Sequence, residues 1–199
     1  RSYVPYFVTL IWIEDQEGLL MYYQTTYLSP VGRLTLASDG EHLVGLWLDH
    51  QKHFAEHFPD LKADKPDLPV FEATKKWLDR YFAGQAPLIR DLPLAPIGSY
   101  FRQAVWRLLQ EIPYGQVMTY GQIAETIAAE IGRPSMSSQA VGGAVGHNPI
   151  SIIIPCHRVV GSDGSLTGYA GGLTNKIKLL TLEGVHLSDL YMPKQGTAL

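Results

Sequence analysis

The sequence predicts an α+β protein in two parts, an antiparallel sheet covered by one helix and then a mainly helical part with a helix-turn-helix. Three observations support this fold class. Short strand-like segments between turn residues fill the first part, segments with helical spacing fill the second, and a stretch rich in proline lies between them.

Three strands are predicted near the start, in residues 22–28, 32–38 and 42–49. They are rich in β-branched, aromatic and other apolar residues, and the pairs Ser29-Pro30 and Asp39-Gly40 between them favour turns. Short turns join antiparallel neighbours, so the three strands are expected to form a meander.

Residues 71–82 (FEATKKWLDRYF) predict an amphipathic helix that covers this sheet, because apolar side chains recur at helical spacing and Gly84 is placed as a C-terminal stop. Residues 86–99 (APLIRDLPLAPIGS) then hold three prolines and no helical period, which indicates a linker. We therefore place a domain boundary near residue 97.

This boundary divides the chain into an N-terminal α/β domain of residues 21–97, which includes the linker, and a C-terminal domain of residues 98–190. Residues 1–20 are interpreted as an extension outside the core fold. Their apolar run, residues 3–13, is too short to span a bilayer and lacks the pattern of a signal peptide. Residues 191–199 are interpreted as a tail.

Three helices are predicted early in the second domain, each beginning at a hydroxyl residue that can cap its first turn. Ser99 precedes YFRQAVWRLLQ, Thr119 precedes YGQIAETIAAE, and residues 138–146 read SQAVGGAVG. The second and third are short and flank a Gly-Arg-Pro breaker at 132–134, an arrangement typical of a helix-turn-helix. A last helix is predicted from Thr174.

Gly142 and Gly143 lie inside the third of these helices, where each costs about 1 kcal/mol relative to alanine. A helix surface of alanine, valine and glycine lets another backbone come close. Such a surface suits either a tightly packed core helix or a helix that contacts DNA, and this segment alone favours neither.

The formal net charge of −3 argues against a polybasic coat for nucleic acid. Residues 1–97 carry 9 Lys and Arg against 13 Asp and Glu, a net charge of −4, whereas residues 98–199 carry 7 against 6, a net charge of +1. The second half is therefore the better candidate for a DNA-facing part.

The only cysteine, Cys156, excludes an intrachain disulfide, fits a reducing intracellular compartment and disfavours a cysteine-based zinc site. His50, His53 and His57 fall near helical spacing, but no Cys or acidic cluster joins them in the sequence. We interpret them as solvated surface histidines, and we predict neither a metal site nor a cofactor.

Cys156 follows the β-branched residues 150–154 and is predicted to lie at the end of a buried strand. A cysteine in that position is usually an inert core thiol. A thiolate, however, is a strong nucleophile when a base or an electropositive site removes its proton, and His157 and Glu183 both lie within 28 residues of the cysteine.

Four segments around this cysteine resemble those of a known family, the O6-alkylguanine-DNA alkyltransferases, also called methylated-DNA-protein-cysteine methyltransferases. They are PCHRVV at 155–160, GHNP at 146–149, GYAGG at 168–172 and LEG at 182–184. The resemblance covers about residues 22–186 and is strongest over residues 98–186.

The resemblance implies an N-terminal domain with a ribonuclease-H-like sheet and a C-terminal domain of winged helix-turn-helix type. It also implies DNA repair by direct reversal, in which the alkyl group of O6-alkylguanine, with O4-alkylthymine as a second candidate, moves irreversibly to Cys156 without a cofactor. The implied partner is double-stranded DNA, bound through the minor groove by a monomer that has no membrane association. The implied compartment is the cytoplasm, or the nucleus in a eukaryote.

By resemblance, Cys156 passes its proton through an ordered water to His157, which Glu183 orients and stabilises in its charged form. The water fits the predicted strand, in which adjacent side chains point to opposite faces. Tyr120 matches the residue that donates a proton to guanine N3, and Arg158 is assigned to structure, where it would pair with a carboxylate.

The resemblance also indicates which residues hold the base and the DNA. Asn148 matches the residue that links the recognition helix, residues 138–146, to the reactive strand, and the backbone of Cys156 and Val159 would accept from the exocyclic amine of guanine. Two further sets are expected to form the lid of the base pocket and the minor-groove face of the recognition helix. The lid residues are Tyr169, Ala170, Gly171 and Gly172, and the groove-facing residues are Gln139, Ala140, Gly142 and Gly143.

One position departs from the family pattern. Many relatives carry an arginine at the start of the recognition helix, where it fills the space left by the flipped guanine, and this chain has Gln139 instead. Arg133, in a longer turn at residues 131–137, is the alternative. We favour Gln139, because a residue in the turn is poorly placed to reach the base stack.

Other classes of protein fit the sequence less well. A cysteine hydrolase would need an oxyanion hole, and the chain has neither a G-x-S-x-G elbow nor a papain-like cysteine segment. The main alternative is a non-catalytic protein that binds alkylated DNA, but such a protein lacks the reactive cysteine. A damage-sensing transcription factor normally carries additional cysteine-rich segments.

Overall fold

The computed structural model describes residues 21–58 and 61–192. The predicted extension at residues 1–20 lies outside the described residues, as do residues 193–199 of the predicted tail. Within the described residues the α+β prediction is confirmed, with a sheet in the first part and most of the helices in the second. None of the helices described is long and apolar enough to cross a membrane.

The sheet contains the three predicted strands and one that the sequence analysis missed. Strands β1 (Tyr22–Ser29), β2 (Gly32–Ser38) and β3 (Leu43–Leu48) pair in antiparallel fashion, and β4 (Leu61–Asp64) pairs in parallel with β1. The strand order is therefore β3-β2-β1-β4. Four residues are too few to show a strand pattern, which is why β4 was not predicted.

Helix α1 (Pro69–Phe82) covers this sheet, as predicted, and begins two residues earlier than expected. Proline suits the first turn of a helix, because its missing N–H would have no partner there. The helix buries Phe71, Leu78 and Tyr81 at no more than 1% exposure. These side chains belong to a core cluster that continues into the second part of the chain.

Two distant segments pair with the outer edge of β3. The first is the predicted linker, whose Pro93 carbonyl accepts from Leu43 N at 2.8 Å. The second leads to the cysteine, and its Pro149 carbonyl accepts from Leu46 N at 2.8 Å, while Ser151 N donates back to Leu46 O at 2.9 Å. The edge of the N-terminal sheet therefore positions the segment that leads to Cys156.

The second part contains α2 (Tyr100–Gln110), α3 (Tyr120–Glu130), α4 (Ser138–Gly146) and α5 (Leu173–Leu182). The first two begin where their predicted caps place them, because a side-chain oxygen satisfies a free N–H of the first turn. Ser99 accepts from Arg102 N, Thr119 forms a capping box with Gln122, and Ser137 caps α4.

The strand predicted at residues 150–154 is absent from the structure, so this prediction was wrong. These residues form a tight turn, in which Ile154 N donates to Ile150 O at 3.0 Å and Ile152 has a φ of 70°. The segment Cys156–Arg158 continues as one turn of 3-10 helix. All five isoleucine and serine side chains of the turn are buried at 1% exposure or less, so the β-branched pattern reflected burial and not an extended backbone.

Candidate active site and DNA-facing helix

A pocket brings together six of the residues predicted from the sequence. It lies between the end of α4, the start of α3 and the loop before α5, and the thiol of the only cysteine lies in its wall. The predicted residues that line it are Tyr120, Gly142, Gly143, Cys156, Tyr169 and Ala170. Lys52, His53 and His147 also line it and were not predicted.

Cys156 is buried, with 3% of the residue exposed. Burial raises its pKa, and this effect outweighs the opposing contributions of a hydrogen bond from Asn148 and the positive charge of Lys176. The resting thiol is therefore protonated at neutral pH, so it needs a base before it can act as a nucleophile.

The side chains of His157 and Arg158 both form hydrogen bonds with the buried carboxylate of Glu183. Glu183 Oε1 lies 2.6 Å from His157 Nε2, and Arg158 donates to both carboxylate oxygens of Glu183, at 2.8 and 3.0 Å. A further guanidinium nitrogen of Arg158 donates to Ile112 O at 2.6 Å. The geometry places Arg158 against a carboxylate, in the structural role expected from the sequence, and the carboxylate is the one that orients His157.

The protonation states of this network follow from its geometry. Burial alone would raise the pKa of Glu183, but the hydrogen bonds and charges of His157 and Arg158 lower it well below its usual range, so Glu183 is ionised. Burial lowers the pKa of His157 despite the nearby carboxylate, so the resting imidazole is neutral. Its Nε2–H donates to Glu183, and Nδ1 has no partner among the residues that the structure describes. Nδ1 is therefore free to accept a proton.

Tyr81, on helix α1, contacts the same carboxylate and was not predicted as a site residue. Its hydroxyl donates to Glu183 Oε1 at 2.7 Å, and Gly115 N donates to Glu183 Oε2 at 3.1 Å. The carboxylate thus accepts from both parts of the chain. A sequence signal existed, because Tyr81 falls on the apolar face of its helix and a buried tyrosine hydroxyl usually needs a polar partner.

Asn148 fixes the turn that precedes the cysteine. Its Nδ2 donates to Ile154 O at 2.8 Å, and its Oδ1 accepts from Ile150 N at 3.0 Å. The side chain thereby connects the end of α4 to the reactive segment, the place that the resemblance implied. The resemblance implied a strand after Asn148, and the structure has a turn there instead.

Lys176 is a second residue that the sequence analysis missed. Its side chain is fully buried, and Nζ donates to the carbonyl oxygens of Val159, Thr167 and Gly168. Burial lowers its pKa to about 8. The Val159 carbonyl, expected to accept from guanine, therefore already accepts from Lys176 and has one lone pair left. The sequence could have indicated a buried lysine, because Lys176 lies three and four residues before Leu179 and Leu180, which are buried on the same face of the helix.

Among the other predicted base-pocket residues, Tyr120, Tyr169 and Ala170 line the pocket, whereas Val159 and Gly171 do not. Tyr120 Oη is 3.4 Å from Thr167 O and 3.5 Å from Gly168 O, and burial raises its pKa, so the phenol keeps its proton. Ala170 O accepts from Lys52 N at 3.1 Å. A Cβ atom at Gly171 would lie 2.8 Å from the Tyr169 ring, so a larger residue here would have to displace that ring.

Helix α4 has a buried face and an exposed face. Val141, Ala144 and Val145 pack in the core, whereas Gln139, Ala140 and Gly143 face solvent and Gly142 is buried at the pocket. A Cβ atom at Gly143 would meet no atom within 4 Å. A packed core helix and a DNA-contacting helix are therefore compatible interpretations of Gly142 and Gly143, because one face of α4 packs in the core and the other is exposed. Gln139 and Ala140 do not line the pocket.

The fold and the site together define a class of protein, one that joins a helix-turn-helix to a buried cysteine that is followed by a histidine bonded to a carboxylate. A family model described as "6-O-methylguanine DNA methyltransferase, DNA binding domain" matches residues 100–185. A second, described as "6-O-methylguanine DNA methyltransferase, ribonuclease-like domain", matches residues 21–96. The chain belongs to the 6-O-methylguanine DNA methyltransferase family, and the predictions of family and fold class are confirmed.

Individual relatives agree with this assignment. The chain is 46% identical over 168 residues to a Haemophilus influenzae protein named methylated-DNA-protein-cysteine methyltransferase, which covers 84% of this chain and 89% of that protein. It is 44% identical over 164 residues to a Methanosarcina acetivorans protein of the same name, covering 82% and 99%. The crystal structure of Mycobacterium tuberculosis OGT in complex with DNA matches with a TM-score of 0.70 at 40% identity, covering 85% of this chain and 94% of that one.

Proposed function

We propose that the protein repairs DNA by moving the alkyl group of O6-alkylguanine to Cys156 in a single turnover. The observation that carries this proposal is the buried thiol in the pocket wall, followed in sequence by a neutral imidazole that an ionised carboxylate orients. This arrangement can activate a sulfur nucleophile without a metal or a cofactor.

In the proposed reaction the thiol loses its proton and the alkyl group moves from guanine O6 to sulfur. His157 takes the thiol proton at Nδ1, with a water as the bridge between them, and Glu183 stabilises the imidazolium that forms. Sulfur then bonds to the alkyl carbon while the bond from that carbon to O6 breaks. Tyr120 donates a proton to the departing guanine at N3. The proton that His157 took from the thiol then returns to Tyr120 through solvent, and the guanine proton moves from N3 to N1 once the base is released. The net change is S-alkyl cysteine and unmodified guanine.

The proposed DNA complex requires the damaged base to leave the duplex, which costs a few kcal/mol for a stacked nucleotide. The exposed surface of α4 contains Ala140 and Gly143, whose small size suits close approach to the minor groove, and the polar Gln139. We propose that the protein binds DNA there as a monomer, with most contacts to phosphates and little sequence preference.

The direct test is mass spectrometry after incubation with DNA that contains one O6-methylguanine. The protein should gain the mass of one methyl group, and digestion should place it on the peptide that holds Cys156. Bound DNA without any mass gain would instead support the non-catalytic alternative.

Replacement of Tyr120 by phenylalanine is expected to slow alkyl transfer by about 100-fold or more, the usual contribution of a positioned acid. The fold should persist, because the hydroxyl makes only long contacts of 3.4 and 3.5 Å. Single-turnover rates and thermal melting measured on the same samples would separate the two effects. A rate equal to wild type would remove Tyr120 from the proposed chemistry.

Gln139 is expected to fill the gap left by the flipped base, so Gln139→Arg should raise the transfer rate on duplex DNA. The gain should be about two- to fivefold, which corresponds to the 0.5–1 kcal/mol of a cation stacked on a base. The residue lies exposed in the first turn of α4, so the substitution should not disturb the core. The rate on free O6-benzylguanine should not change.

Arg133→Ala is the matched variant for this test. Arg133 is exposed in the turn between α3 and α4, and its backbone N–H donates to Ala128 O at 2.8 Å at the end of α3. Its loss should weaken DNA affinity and reduce the salt dependence of binding, as expected for a phosphate contact. If Arg133→Ala instead cut the duplex rate sharply and Gln139→Arg had no effect, Arg133 would be the residue that fills the gap.

A further inference from the structure

Three side chains, two of which line the pocket, form a cluster that the alkyl-transfer chemistry does not use. His53 and Glu56 lie in the turn segment after β3, and His147 follows the last residue of α4. The two imidazole rings stack with centroids 3.8 Å apart, and His53 Nδ1 lies 3.2 Å from a carboxylate oxygen of Glu56. One ligand atom from each residue lies within 4.8 Å of the other two.

The ring orientation of His147 is set by its own helix. Its Nδ1 lies 2.7 Å from Gly143 O, and because a carbonyl only accepts, Nδ1 must carry the proton. The lone pair of His147 is therefore on Nε2. A backbone carbonyl behind one imidazole nitrogen is the usual way in which proteins orient a histidine whose other nitrogen binds a metal.

We propose that His53, Glu56 and His147 bind one divalent transition-metal ion of the zinc class. Two imidazole nitrogens and one carboxylate oxygen are a ligand set that zinc accepts in proteins, with water completing the coordination. Calcium and magnesium prefer ligand sets made of oxygen, so they should bind weakly here. All three residues are at least partly exposed, so an ion can reach them from solvent.

The cluster joins two segments across the pocket. His53 and His147 both line the pocket whose wall contains Cys156, and the neighbouring residue Lys52 donates its backbone N–H to Ala170 O in the loop before α5. A bound ion would hold the turn after β3 against the end of α4 at the pocket mouth. We therefore expect metal binding to hinder entry of the base, a consequence that rests on the proposed function.

The binding test uses the full chain, freed of metal, titrated with Zn²⁺ in competition with a chromophoric chelator. Wild type should bind one equivalent at this site. His53→Ala should weaken binding by more than about tenfold, since even the loss of a residue that only supports a ligand costs about 10- to 100-fold. His57→Ala is the matched control, because this exposed histidine lies in the same segment outside the cluster. It should bind Zn²⁺ like wild type.

The cysteine is the competing ligand, so the titration is repeated with Cys156→Ser. Undiminished Zn²⁺ binding in this variant supports the proposed cluster. Zn²⁺ binding that is lost in Cys156→Ser, or that is unchanged in both His53→Ala and Glu56→Gln, overturns the proposal. Thermal melting of each variant shows whether it is folded, and the two partly exposed positions His53 and Glu56 make large losses of stability unexpected.

The effect on base entry is measured by transfer from free O6-benzylguanine with and without one equivalent of Zn²⁺. Wild type should react more slowly with Zn²⁺ present, while His53→Ala should be unaffected. Equal inhibition of both proteins would mean that Zn²⁺ acts on the thiol and would overturn the proposed effect on entry. A protein that transfers nothing even without Zn²⁺ would contradict the proposed function and leave the titration result standing.

Discussion

Cys156→Ala is expected to abolish alkyl transfer completely, because the chain has no other cysteine to accept the group. Wild type should stop at one equivalent of repaired base per protein, since a thioether has no good leaving group and the chain offers no second thiol to regenerate the first. The measurement is product formed against time, with excess DNA that contains O6-methylguanine.

DNA binding serves as the control for this variant. The thiol lies in the pocket wall and not on the exposed face of α4, so Cys156→Ala should bind the same duplex with affinity close to that of wild type. Product beyond one equivalent in wild type, or residual transfer in Cys156→Ala, would contradict the single-turnover mechanism.

Glu183→Gln is expected to have two large effects, and the structure explains both. Transfer should slow by about 100-fold or more, because the charge that stabilises the His157 imidazolium is lost. The fold should also lose about 3–5 kcal/mol of stability, because the buried Arg158 would keep its charge without a charged partner. Chemical denaturation measures the second effect, and single-turnover kinetics well below the melting temperature measure the first.

The matched control is Tyr81→Phe, which removes one hydrogen bond to the same carboxylate and a longer contact of 3.4 Å to His157 Nε2, and leaves the charge of the carboxylate in place. It should cost about 1 kcal/mol in the free energy of unfolding and change the transfer rate little. DNA affinity should be close to wild type in both variants. Equal losses of affinity and rate in Glu183→Gln would contradict the role assigned to the carboxylate.

The pH dependence of stability gives an independent check on Glu183. Its pKa in the folded state lies below the value of about 4.3 expected when unfolded, so its ionised form stabilises the fold above that pH. This contribution is lost as the pH falls from about 4.3 through the folded pKa. Glu183→Gln should lack it, so the difference in unfolding free energy between the two proteins should shrink in acid.

Local features of the chain were predictable from the sequence because their causes are local. The starts of α2 and α3 depend on Ser99 and Thr119, whose side chains bond to N–H groups three residues away. The strand pairings of β1, β2 and β3 depend on short turns that leave only one way to pair. The segments around Cys156 also carried the family resemblance, so the family and the fold class were predicted correctly without coordinates, and Cys156 was singled out as the proposed nucleophile.

The tertiary structure decided what distant residues do. Tyr81 reaches a carboxylate 102 positions away, and His53 meets His147 only because β3 pairs with the segment after α4. The sequence wrongly predicted a strand before Cys156, since β-branched residues mark burial whether the backbone is extended or turned. Contacts between residues far apart in sequence leave no local pattern, because the packing of whole elements brings them together.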